Sequence, residues 1–205
     1  MRCVVATTVA VIIILCPGSR SDAVNSASAN TFRKFWNMNN AYLRWSATDG
    51  MFTPCQWYAR DEMTDNGVKV TAWFFVDHTK AWRKSVFRQQ QWIFGDDNKM
   101  RWRRSDGLTV KKLLLDDGKA CGVIEYEEYD SVGEEECREE SKGTETCIYG
   151  GKRIELLVNS DHKDNVPDEC TRFYEERRNG TQDTRNRDVK ICGNSTEIPK
   201  ASPVH

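Results

Sequence analysis

From residue 41 onward, apolar and polar positions alternate in short runs, and nearly every run stops at a turn signal. AYLRWSAT ends at Asp49-Gly50, CQWYARDEM at TDNG, VKVTAWFFVD near His78, and AWRKSVFRQQQWIF at GDDN. KMRWRR, LTVKKLLL, CGVIEYEEY and KRIELLV follow. Period-two alternation rich in Val, Ile, Trp and Tyr, bounded by Gly, Asp and Asn, is the signature of half-buried strands. The chain therefore predicts eight strands at short spacing.

Two segments depart from that period. TFRKFW, residues 31–36, reads as a short helix with Asn30 as its cap. VPDECTRFYEERR carries proline near its start, acids in its first turn and arginines in its last, the order a helix macrodipole favours. Consecutive antiparallel strands with one late helix predict a mainly β fold, a closed eight-stranded barrel with that helix packed outside. A barrel of this size has room for one small ligand.

The first residues add a compartment. MRCVVATTVAVIIILCPGSRSDA has one early arginine, a continuous apolar run from Val4 to Cys16 and small residues before Ala23. That is a signal-peptide pattern, and the run is too short for a membrane span of about 20 residues. Cleavage fits after Ala23, with Ser21 at −3, or after Gly18; the first is preferred, leaving one domain over 24–205 and a secreted product. The full chain has a formal charge of −1. Losing Arg2, Arg20 and Asp22 makes it −2, which gives nucleic acid no basic footprint.

Six cysteines remain after cleavage: Cys55, Cys121, Cys137, Cys147, Cys170 and Cys192. An even number in a secreted chain implies disulfides, and without a C-x-x-C pair a zinc site is disfavoured. Spacing alone leaves about 15 connectivities open. The sequons at Asn179 and Asn194 mark candidate glycosylation sites. The acidic run from Glu127 to Cys147 lacks the ordered ligand spacing of a calcium loop and reads as a solvated loop tied off by Cys137 and Cys147. Three histidines, His78, His162 and His205, sit in or beside predicted turns or the tail, and neither G-x-S-x-G nor H-E-x-x-H occurs. The expectation is a binding protein rather than an enzyme, with no cofactor and no metal.

Trp36, YLRWSAT before PCQW, CGVI after a turn, IELLV, and VPDEC with a final Cys192 occur in an order that resembles the tick salivary lipocalins of the histamine-binding family. The resemblance spans essentially the whole mature chain. It implies an eight-stranded lipocalin barrel that captures a small host mediator, with disulfides Cys55–Cys170 and Cys121–Cys192, and Cys137–Cys147 as the extra pair. It also implies a ligand-binding set of Tyr42, Trp45, Trp102, Arg104, Lys112, Gly122, Ile124, Tyr126 and Glu155. One departure matters: amine-binding members carry an acid directly after the cysteine of this strand, where this chain has Gly122.

The DDG turn before Cys121 admits two registers. A two-residue Asp117-Gly118 loop would pair Lys111 with Ile124; a three-residue loop beginning at Asp116 would pair Lys112 with Gly122. A one-residue slip exchanges the two faces. The second agrees with the resemblance and is preferred; it points Val110 and Lys112 inward beside Gly122, Ile124 and Tyr126. The same resemblance implies that Met100 and Trp102 also point inward, with Arg104 near the mouth and Glu155 facing them from the eighth strand. The ligand is then a biogenic amine by resemblance, or an anionic amphiphile by the loss of the acid at Gly122. A different class of function is a protein-binding inhibitor, with a host protein docked on the acidic loop.

Overall fold

The computed structural model describes residues 31–48, 55–76, 79, 81–84, 89–96, 98–133, 135–185 and 192–199. The expected leader, Asn30, His78 and His205 lie outside these residues. Helix α1 (Thr31–Met38) leads into β1 (Ala41–Ala47), β2 (Trp57–Thr64), β3 (Gly67–Val76), β4 (Ala81–Lys84), β5 (Gln90–Phe94), β6 (Lys99–Arg104), β7 (Gly107–Asp116), β8 (Cys121–Ser131) and β9 (Cys147–Val158). Helix α2 (Asp168–Arg178) and a short β10 (Thr184–Arg185) follow.

Neighbouring strands pair antiparallel along the chain, and β9 returns to β1 through Leu43↔Val158 and Ala47↔Glu155, which closes the sheet. β4 pairs the Trp73–Val76 half of β3, and β5 pairs its Gly67–Val70 half. These two segments share one position, so the barrel has eight; the run 81–94, expected as a single strand, is divided between the two halves of a ten-residue partner. The hairpin of β8 and β9 is longer than its sequence signals indicated. Its ladder continues to Ser131↔Cys147, so the outer part of the acidic run is strand rather than loop.

Closure gives every strand an inner and an outer face. Helix α1 lies across one end of the barrel. Its Phe32, Phe35 and Trp36, at the i, i+3, i+4 spacing of one helix face, are buried against Tyr42, Leu113 and Leu157. Phe35 stacks on Tyr42 with ring centroids 4.1 Å apart, and the Tyr42 hydroxyl donates to the Phe35 carbonyl at 2.8 Å. Gly122 lies under the same ring: a Cβ there would come within 2.6 Å of Phe35 Cε2. The missing side chain is what lets the helix close the barrel.

The outer face carries three satellites. Helix α2 buries Cys170 and Tyr174 against Val123, Leu156 and Val158 of β8 and β9. The segment holding Cys192 and Ile198 covers Leu43, Trp57 and Trp73, and Trp57 Nε1 donates to the Cys192 carbonyl at 3.2 Å. Cys137 and Cys147 pack on Leu108, Val110 and Tyr129.

This arrangement decides the disulfides and overturns two expected pairings. Cys55 is joined to Cys192 and Cys121 to Cys170, in place of Cys55–Cys170 and Cys121–Cys192; Cys137 is joined to Cys147. Helix α2 rests on β8 and β9, which sets Cys170 beside the first residue of β8. Cys55 lies two residues before β2, on the side that the C-terminal segment covers. Among the described residues, no helix is long and apolar enough to cross a membrane.

Candidate ligand-binding site

Inward positions on the closing strands build the interior in layers. On β8 these are Gly122, Ile124, Tyr126 and Glu128; on β9, Leu157, Glu155 and Arg153; on β7, Leu113 and Lys111; on β6, Met100, Trp102 and Arg104. The layer beneath α1 is apolar. The next is not. Glu155, only 1% exposed, accepts hydrogen bonds from Lys111 Nζ on Oε2 at 3.4 Å and from the Tyr58 hydroxyl on Oε1 at 3.2 Å, and forms an ion pair with Arg44, whose Nε is 3.4 Å from Oε1. Arg153 Nε stands 4.0 Å from the same carboxylate.

The Lys111 ammonium sits among rings from three strands, 4.5 Å from the Tyr58 centroid and 5.0 Å from those of Trp92 and Tyr126. The Arg153 guanidinium lies 3.7 Å over Tyr126 and forms a two-pronged contact with Glu128, at 3.1 and 3.3 Å. Nearer the rim, Arg104 contacts Glu128, Asp130 and Asp106 at 3.6, 3.1 and 3.3 Å.

Burial by itself would raise the Glu155 carboxyl. The ammonium of Lys111 and the guanidiniums of Arg44 and Arg153 outweigh that and hold it at about 2. Burial pushes the Lys111 ammonium below its ordinary value, with Glu155 opposing the shift. Burial raises the Tyr126 phenol to about 12. At neutral pH the site is therefore an ionised carboxylate facing cations, walled by neutral rings.

Six expected positions point into the barrel or its rim: Tyr42, Trp102, Arg104, Ile124, Tyr126 and Glu155. Tyr42 belongs to the layer closed by α1, and Trp102 is half-buried with its ring 5.8 Å from Trp92. Gly122 faces inward but is capped by Phe35, so it lines helix packing rather than open space.

Lys112 and Val110 are corrections: both lie on the outer face, and Lys111 is inside. The register follows neither simple turn. Asp117 Oδ1 accepts from the backbone N–H groups of Lys119, Ala120 and Cys121 at 3.0, 2.8 and 2.9 Å, which holds a longer loop. A bulge at Leu114 then pairs Leu113 with Ile124 and Lys111 with Tyr126. Trp45 is a further correction. The β1 ladder to β9 slips between Arg44 and Ser46, and Trp45 packs outside against the α2 and C-terminal clusters.

Lys111, Arg44, Tyr58, Trp92 and Arg153 were not in the expected set. Their signal was parity: Lys111 shares the face that the two-residue turn would have given it, and Arg153 is two residues from Glu155. Of the other candidates, Asn179 and Asn194 are both exposed. His162 turns on Asn159, its Nδ1 2.8 Å from Oδ1. One grouping of metal-type ligands is found among the described residues, Asp117 with Cys121 and Cys170, and its sulfurs are consumed in a disulfide.

No family model matches the chain, and no curated protein matches it. A solved structure of AM182 in complex with serotonin superposes with a TM-score of 0.55 at 11% identity, covering 84% of this chain and 98% of that one. The siderocalin Ex-FABP gives 0.45 at 8% identity over 72% and 84%, and apocrustacyanin C1 gives 0.46 at 8% identity over 81% and 85%. The fold is the lipocalin barrel.

Proposed function

We propose that this chain is a secreted, non-catalytic lipocalin that holds a small anionic amphiphile, of the fatty-acid or leukotriene kind, inside the barrel. The observation that carries this reading is the charge around Glu155: three cationic side chains, Arg44, Lys111 and Arg153, lie within 4.0 Å of its one carboxylate, Arg153 being shared with the inward Glu128. Guanidiniums suit an acidic head group because their planar forks pair with carboxylates through two hydrogen bonds. Trp92, Trp102 and Met100 supply apolar wall for a tail.

Three disulfides and the apolar leader support secretion, and the exposed sequons at Asn179 and Asn194 support glycosylation. The resemblance to tick salivary lipocalins supports a host mediator as the captured molecule. A biogenic amine is the alternative ligand, by that resemblance and by the serotonin held in the neighbouring AM182 structure. Native mass spectrometry of the secreted protein, followed by extraction and identification of any bound molecule, tests the reading. An extracted carboxylic acid supports it; an extracted amine replaces it.

A further inference from the structure

The surroundings of Lys111 are those a protein builds for a cationic ligand. Three aromatic rings from β2, β5 and β8 face one ammonium within 5.0 Å, and a carboxylate from β9 completes the enclosure at 3.4 Å. Rings arranged in this way attract a cation through their quadrupoles, most strongly where water is excluded. Water is largely excluded here: Tyr58, Trp92, Tyr126, Lys111 and Glu155 are each between 1% and 8% exposed. A lysine whose task was to neutralise Glu155 needs the carboxylate alone. Packing needs neither a charge nor rings on several sides of it, and burying an ammonium carries a desolvation cost that an apolar side chain avoids.

We propose that the cage of Tyr58, Trp92, Tyr126 and Glu155 is an organic-ammonium site, occupied in the native protein by the chain's own Lys111 as a tethered surrogate ligand. Lys111 thereby sets specificity. A tethered group competes at an effective concentration on the order of millimolar or above, so free amines are kept out of the cage while Lys111 holds it. Removing the side chain beyond Cβ leaves a space shaped for propylammonium and withdraws one positive charge, which a free primary ammonium restores. The inference does not depend on which molecule the native barrel carries.

The test is chemical rescue. Lys111→Ala is titrated with propylammonium chloride and, separately, with 1-propanol, following Trp fluorescence and the thermal midpoint; native protein and Lys111→Met run alongside. The proposal predicts that propylammonium binds Lys111→Ala at least tenfold more tightly than 1-propanol and raises its midpoint. Native protein and Lys111→Met, which fills the space without charge, should not respond. Equal binding of alcohol and ammonium would reduce the site to an apolar void and overturn the proposal, as would binding of propylammonium by native protein as tightly as by the variant. If Lys111→Ala does not fold, the native protein still decides. The εCH2 resonances of Lys111 in 13C-labelled protein should be shifted upfield of those of Lys112 by the surrounding rings, and the absence of that shift would place the ammonium outside the cage.

Discussion

Lys111 and Lys112 are chain neighbours of the same chemistry, and strand β7 gives them opposite environments. Lys111 crosses the lumen to a carboxylate and three rings. Lys112 lies on the outer face, in a shallow groove of about 120 Å³ shared with Lys99, Val110, Glu125, Glu127 and Lys142. Charges on the outer face are screened by solvent; those inside are held by one another and by the absence of water. The inner face is where changing a charge should be felt.

Neutralising one carboxylate on each face gives the largest contrast. Glu155→Gln leaves Lys111 and Arg44 buried without their ionised partner and should cost about 3–5 kcal/mol in urea unfolding. Glu125→Gln breaks the outer pair with Lys152 (2.6 Å) and should cost no more than about 1 kcal/mol. Similar losses from both would erase the distinction between the faces.

Acid titration sharpens it. The folded Glu155 carboxyl, at about 2, is lowered from an ordinary value of 4.5, so its contribution to stability is present above 4.5 and is lost as pH falls toward 2. Urea midpoints of the native protein should fall across that window, and Glu155→Gln should flatten this part of the profile. An unchanged slope in the variant would mean that another carboxyl carries the acid sensitivity.

A smaller effect concerns the wall. Trp102→Ala removes a half-buried ring packed against the inner cluster and should weaken ligand binding about tenfold, or about 1.4 kcal/mol, with the barrel intact by circular dichroism. Deleting residues 138–146 from the outer loop should leave ligand binding unchanged. The reverse pattern would move function to the outer loop, beside the exposed Val132, Ile148 and Tyr149.

The same contrast explains what could be read from the chain. Strand alternation and turn residues are local, and they were enough to predict the barrel, α1 and α2; the inward position of Glu155 came from the family resemblance. Which face Lys111 takes depends on a bulge at Leu114 and on the three backbone donors gathered by Asp117, features that no apolar period announces. Trp45 was misplaced for a related reason, since an irregular ladder at the end of β1 turns it outward. The disulfide partners depend on where α2 and the C-terminal segment settle on the barrel, a tertiary choice invisible to cysteine spacing. Gly122 was legible as an absent acid, but its packing role required Phe35 to be in place above it.

The central claim, that the inner face takes an anionic small molecule, is tested most directly by calorimetric titration of delipidated native protein with a long-chain fatty acid and with histamine. Saturable 1:1 binding of the fatty acid, with histamine bound at least tenfold more weakly, is the predicted result. Tight histamine binding with no response to the fatty acid would contradict the claim and show that Glu155 serves a free amine in the native barrel.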